Sequence, residues 1–182
     1  MWPDASEWLE THGLHAYFEL VHWTQSLPGP SFHASTNLRI ELVDPGDAAD
    51  YAAVCCEAFN EPLIAPWLAA LVGREGWRHY MTLDVDRPVG TCVMFMRDGG
   101  VWLGWSGTLL SHRNQGSYTA LVARMLADAV ALGASWARCE SPDDVPHRPK
   151  FTFRSTRRAG FEILERRAIH AHVPPGLSID SL

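Results

Sequence analysis

The sequence predicts an α/β domain built on a mixed, mostly antiparallel sheet with helices on both faces. Two observations carry this. Three strand-like segments follow one another through tight turns, and a long amphipathic helix then leads into a further short strand. Strands joined by hairpins pair antiparallel, whereas a strand reached through a helical crossover lies parallel to the one it left. The chain has 182 residues, 47% of them hydrophobic, which suits one domain of the usual size of roughly 100–200 residues.

Residues 1–25 predict a short helix around Glu7–His12, a turn at Gly13 and an extended apolar run over Ala16–Trp23. Ser26–Thr36 is rich in Pro, Ser and Gly and predicts a linker. Residues 1–36 are therefore expected to form an N-terminal helix–strand appendage and linker, and residues 37–182 the main domain. Asn37–Val43 alternates as a strand does, and Asp44–Asp47 makes a turn that can cap a helix. Helices are expected over Ala48–Phe59 and Ala65–Val72. The three successive strands are Trp77–Val85, Val89–Met96 and Val101–Leu110, turned at Asp86-Arg87-Pro88 and Asp98-Gly99-Gly100. The long helix runs from about Gln115 to Leu132 and is stopped by Gly133. A short strand at Ser135–Glu140, a Pro- and Asp-rich loop at Ser141–Pro149, a helix at Phe151–Ala159 and a strand at Phe161–His172 complete the chain.

A formal charge of −6 argues against a general nucleic-acid binder, which needs a clustered basic face. The N-terminus lacks the basic start and apolar run of a secretory signal. No window approaches the roughly 20 apolar residues of a membrane span, so neither a membrane nor a nucleic acid is an expected partner. Cys55, Cys56, Cys92 and Cys139 form no CxxC pair. They predict reduced core thiols in a cytoplasmic protein. His12/His15 and His170/His172 lack a third ligand at metal spacing, so no metal is expected.

The chemistry concentrates between Val101 and Leu132. A strand runs through a short loop into the first turn of the long helix, with Arg113, Asn114, Gln115, Gly116, Ser117, Tyr118 and Thr119 at the join. The opening turn of a helix offers unpaired N–H groups and the positive dipole end, a ready anion site. Gly116 lets a bulky phosphate approach the backbone, Arg113 adds a positive charge, and Ser117 and Thr119 offer hydroxyls. By residue type alone, such a loop is more often simple helix capping. Gly104-Trp105-Ser106-Gly107-Thr108 lacks the last glycine of a GxSxG elbow, which disfavours a hydrolase.

Arg113-Asn114-Gln115-Gly116 resembles the R/Q-x-x-G-x-G/A pyrophosphate loop of the GNAT acetyltransferase superfamily. Leu132-Gly133-Ala134 and the strand after it resemble that family's central motif. Arg158-Ala159-Gly160-Phe161-Glu162 is similar to its late helix-to-strand signature. The likeness covers roughly residues 37–172. It implies a splayed parallel strand pair and acetyl-CoA, or another acyl-CoA, as co-substrate. The backbone at Ser106, Gly107 and Thr108 would meet the pantetheine arm and thioester, and the amides of Asn114 to Thr119 would hold the pyrophosphate. The acceptor implied is a small-molecule or peptide amine, and a homodimer is compatible with the family.

Three positions depart from the family pattern. Tyr118 stands where the loop's second small residue belongs, Leu110 replaces a common proline, and Thr156 falls where many members carry a tyrosine general acid. Amine acylation needs the nucleophile neutral, so a base near neutral pH is required. Glu140, at the end of the strand after the long helix, is the candidate catalytic base; a strand-end carboxylate facing solvent is the alternative. His112 is expected to be an exposed loop histidine, and Asp143 and Asp144 a solvated acidic loop able to attract a cationic amine. Trp102 and Trp105, three apart on one strand, are expected on opposite faces unless a bulge intervenes. The leading reading is an acyl-CoA-dependent N-acetyltransferase. A non-catalytic acyl-CoA-binding or sensing module on the same fold is the alternative, favoured by the missing acid at position 156.

Overall fold

The computed structural model of the protein describes residues 5–143 and 151–173. Seven strands make one sheet in the order β2-β3-β4-β5-β6-β1-β7. They are β1 (Leu14–Ser26), β2 (Arg39–Leu42), β3 (Trp77–Asp84), β4 (Arg87–Arg97), β5 (Gly100–Thr108), β6 (Trp136–Pro142) and β7 (Glu162–His172). All neighbours are antiparallel except β5 and β6. The hairpins β3–β4–β5 and the helical crossover into β6 follow the chain order that the sequence predicts. The turns are tighter than expected, because Arg87, Pro88 and Gly100 already belong to strands.

The helices are α1 (Ala5–Thr11), α2 (Ala48–Phe59), α3 (Ala65–Leu71), α4 (Ser117–Ala131) and α5 (Phe151–Arg158). Apolar side chains at helical spacing divide them between the two faces. On one face Leu121, Met125 and Ala129 of α4 pack with Val21, Trp23, Tyr80, Met94 and Phe161, and Phe153 of α5 closes over this cluster. On the other, Tyr51, Cys55 and Cys56 of α2 and Leu68 of α3 pack with Met81 and Leu83. Strand β3 is accordingly buried without a break from His79 to Leu83, its alternate side chains feeding both cores. Cys55, Cys56 and Cys92 are buried free thiols, and burial pushes Cys55 up to about 11.

Residues 14–26 are not a flap on the surface. Strand β1 hydrogen-bonds on both sides, pairing Thr24 with Arg138 of β6 and His22 with Glu165 of β7. Val21, Trp23 and Gln25 point into the α4/α5 core, and the Trp23 indole N–H donates to Ser141 at 2.9 Å. The N-terminal segment therefore completes the sheet beyond the parallel pair.

Two irregularities in β5 shape the site. Its pairing with β6 stops at Leu103↔Cys139, after which the two strands part. Between Thr91↔Gly107 and Val93↔Gly104, the pair Trp105 and Ser106 opposes the single residue Cys92, a β-bulge in which Trp105 takes φ 46.

Candidate active site

Where β5 and β6 part, a cavity of about 510 Å³ opens at the end of the sheet. Ser106, Gly107 and Thr108 form one wall and the loop and first turn of α4 another. Ala58 and Phe59 of α2 approach from one face, and Phe151, Thr152 and Phe153 of α5 from the other. Beyond the bulge β5 keeps a partner in β4 and none in β6, so its far edge faces the cavity.

The loop geometry explains the motif. Asn114 and Gly116 both take left-handed conformations, φ 64 and 82, which swing the chain into α4. At Gly116 a Cβ would lie 2.2 Å from the Ser35 carbonyl oxygen, so the glycine is required by the neighbouring linker as well as by its φ. The first helical hydrogen bond of α4 is from Ala120 N to Gly116 O. The amides of Ser117, Tyr118 and Thr119 thus have no acceptor within the helix. The Arg113 guanidinium lies over the end of β5, its Nε donating to Thr108 O at 3.3 Å.

Of the residues singled out from the sequence, Ser106, Gly107, Thr108, Arg113, Asn114, Gly116, Ser117 and Tyr118 all line this cavity. Gln115 and Thr119 do not: the Gln115 carbonyl accepts from Thr36 Oγ1, and the Thr119 hydroxyl turns back to Gly116 O. The Ser117 hydroxyl is also spent internally, 2.8 Å from Thr82 Oγ1 and accepting from Thr108. Backbone amides and Arg113, not hydroxyls, are therefore what the loop offers an anion. Open strand edge, free amides, a cation and an apolar-walled cleft are together the donor set a phosphorylated thioester requires, so the residues present fit an acyl-CoA.

His112 differs from expectation. Its side chain is only 12% exposed, and both ring nitrogens are engaged, Nδ1 with Ser111 and Nε2 with Asp84. Thr156 of α5 is buried and donates to Thr152 O. Its hydroxyl lies 3.3 Å from the Tyr118 phenol. A phenol does reach this spot, delivered by α4 instead of α5; the bulky residue in place of the loop's second small one was the only sequence signal. Burial pushes Tyr118 up to about 12, against the opposing effect of the hydrogen bond it shares with Thr156.

Glu140 does not line the cavity. It projects from β6 one residue past the last β5–β6 pair, on the α2/α3 face. One carboxylate oxygen accepts from the Trp102 indole N–H at 2.7 Å, and the other stands 3.7 Å from His22 Nδ1 on β1. His22 was invisible to motif reading, since only the sheet brings β1 beside β6. Asp143 lines the cavity and holds Arg166 at 2.7 Å, while Asp144 lies outside the described residues. Among the described residues, no three His, Cys, Asp or Glu side chains are grouped to hold a metal ion. No described helix is long and apolar enough to cross a membrane.

No protein-family model and no curated protein matches the chain. Solved structures do. A GCN5-related N-acetyltransferase from Sphaerobacter thermophilus superposes with a TM-score of 0.74 at 21% identity, over 95% of this chain and 57% of that one. Another from Kribbella flavida gives 0.65 at 20% identity, over 96% of this chain and 65% of that one. An aminoglycoside acetyltransferase from an uncultured soil sample gives 0.58 at 16% identity, over 76% of this chain and 98% of that one. The chain thus spans less than two thirds of the length of the first two. It has the fold of the GNAT N-acetyltransferases.

Proposed function

We propose that the chain is an acyl-CoA-dependent N-acyltransferase acting on a primary amine. The observation that carries this reading is the opening between β5 and β6, which joins a free strand edge to the unpaired amides and arginine at the start of α4. An acyl-CoA supplies the thioester carbonyl; the remaining roles belong to the chain. The amides of Ser117 to Thr119 and the Arg113 guanidinium hold the phosphates, a use of helix N-termini that needs no lysine. The edge of β5 at Ser106–Thr108 aligns the extended arm.

The acceptor approaches as an ammonium and gives one proton to Glu140 through water, because that carboxylate stands outside the cavity lining. Its nitrogen then forms the C–N bond as the C–S bond breaks. The second nitrogen proton is released to solvent, and the departing thiolate leaves as thiolate or takes a proton from water. Tyr118, held near 12, is a hydrogen-bond donor at neutral pH and a poor proton source for a thiolate whose conjugate acid lies near about 8.5. The unpaired cysteines suit a reducing, cytoplasmic setting. The similarity to an aminoglycoside acetyltransferase supports an amine acceptor at the level of fold alone.

Arg113→Glu tests the phosphate site more cleanly than any change at Gly116, where the Ser35 carbonyl would be displaced whether or not phosphate binds. Calorimetry should show CoA affinity falling about tenfold or more, by analogy with charge-assisted pairs, while pantetheine, which lacks the phosphates, binds unchanged. Equal CoA affinity in the variant would refute the site. CoA binding without thiol release from acetyl-CoA across a panel of amines would leave a sensing module instead of an enzyme.

A further inference from the structure

We propose that the acceptor is an arylalkylamine: a primary amine on a flat apolar body, lying on a shelf of tryptophans with its ammonium directed at Glu140. This rests on the acyl-transfer reading and names the substrate class for the same site.

The shelf is a product of the bulge. With Trp105 and Ser106 opposing one residue of β4, Trp102 and Trp105 fall on the same face of the sheet despite a spacing of three. Trp105 meets Phe59 of α2 at 5.3 Å and Trp67 of α3 at 5.9 Å between ring centroids, both edge-on. Trp102 meets Trp77 at 6.5 Å on that face. A non-glycine residue with φ 46 costs about 1–3 kcal/mol, so the position of this indole is bought with backbone strain.

Trp102 joins the shelf to the carboxylate. Its six-membered ring lies directly on Gly104, where a Cβ would sit 2.0 Å from Cη2. The opposite edge donates its N–H to Glu140. Only a glycine at 104 lets the indole lie flat here. One oxygen of Glu140 is thus fixed, and among the described residues the other has His22 at 3.7 Å. Glu140 follows the last β5–β6 pair, so the carboxylate and the aromatic strip stand together where the two strands begin to part.

The exposed surface says what covers the shelf. Trp67 is 48%, Phe59 41% and Leu63 90% exposed, and of these Phe59 lines the cavity. Apolar surface grouped at a cleft marks a binding surface, and indole faces attract cations and flat rings alike. A polycation would require several unengaged carboxylates. Asp143 is engaged by Arg166, and Glu165, across from His22, by Arg167. Of Asp143, Glu165 and Glu140, only Glu140 keeps an oxygen with no described contact shorter than 3.7 Å, beside a broad apolar floor, which fits a single ammonium on an aromatic body.

The test measures thiol release from acetyl-CoA with phenethylamine, tryptamine, n-propylamine, spermidine and kanamycin. The two arylalkylamines should turn over with the lowest KM. Trp105→Ala and the surface variant Trp67→Ala should each raise that KM about tenfold, as expected for a lost cation–π and stacking contact. Affinity for CoA should stay unchanged in Trp67→Ala, and in both variants the KM for n-propylamine should rise less than that of the arylalkylamines. Two variants guard against misfolding at the strained position, since Trp67 stands on an exposed helix face. Preferential turnover of spermidine or kanamycin, or an unchanged arylalkylamine KM in Trp67→Ala, overturns the aromatic shelf and leaves the acyl-transfer reading intact. Thiol release with none of the five amines, in a protein that binds CoA, overturns both.

Discussion

Strands β3 and β4 carry helices on both faces, whereas β6, β1 and β7 are covered on the α4/α5 side and present His22, Glu140 and Glu165 on the other. The sequence patterns differ accordingly. β4 is buried without a break from Val89 to Met94, while β1 buries only Val21, Trp23 and Gln25 and β7 buries no residue fully. Burial on both faces gives β3 and β4 most of the apolar area that stabilises the fold. The half-open strands can carry polar groups, and Glu140, proposed to receive the ammonium proton, stands among them. The cavity lies at the seam between the two halves.

If that division of labour is correct, changes on the two sides of the seam should separate rate from stability. Glu140→Gln should lower kcat by roughly 100- to 10,000-fold, on the order of 3–5 kcal/mol of barrier. Chemical denaturation should shift by less than about 0.5 kcal/mol, because the amide oxygen still accepts from Trp102. An unchanged kcat-versus-pH profile would remove Glu140 as the base and break the comparison on its open side. Leu121→Ala, at a fully buried position under β3–β5, should cost about 2–5 kcal/mol. A urea midpoint within experimental error of the parent would break it on the covered side.

His79 sharpens the covered side further. It is 2% exposed, among the described residues neither ring nitrogen has a hydrogen-bond partner, and burial holds it down to about 4. The folded state keeps the imidazole neutral while the unfolded chain protonates it below about 6.5. Stability is therefore complete above that pH and is lost progressively as pH falls toward 4, by up to about 3 kcal/mol from this residue. His79→Leu should flatten the acid limb of stability between pH 6.5 and 4.5 in urea titrations; an unaltered slope would mean that the imidazole is charged when folded. The smallest effect is expected in β7. Leu164 is 48% exposed, and Leu164→Ala should shift stability by no more than about 0.5 kcal/mol.

Much of this architecture could be read from local pattern. Turn residues at 86–88 and 98–100 identify hairpins, the apolar stripe of α4 identifies the crossover, and a crossover dictates a parallel β6. Eight of the ten loop and strand residues expected at a cofactor site do line one cavity. Gln115 and Thr119 miss it because sequence spacing gives the loop's length but not which way each residue turns.

What only the tertiary structure decided lies in contacts between distant segments. The apolar run at 16–23 announces a strand, yet its place between β6 and β7 depends on partners more than a hundred residues away, such as Ser141 for Trp23. A period of two tells which side chains share a face and is silent about which strand lies alongside. The bulge that turns Trp102 and Trp105 to the same face exists only as a mismatch of count between β4 and β5, so no reading of β5 by itself contains it. The same holds for the Tyr118 phenol beside Thr156 and for His22 beside Glu140. Local propensity and turn chemistry act over a few residues and are written into the chain. Register and face are fixed by the packing of whole layers, which is where this site was made.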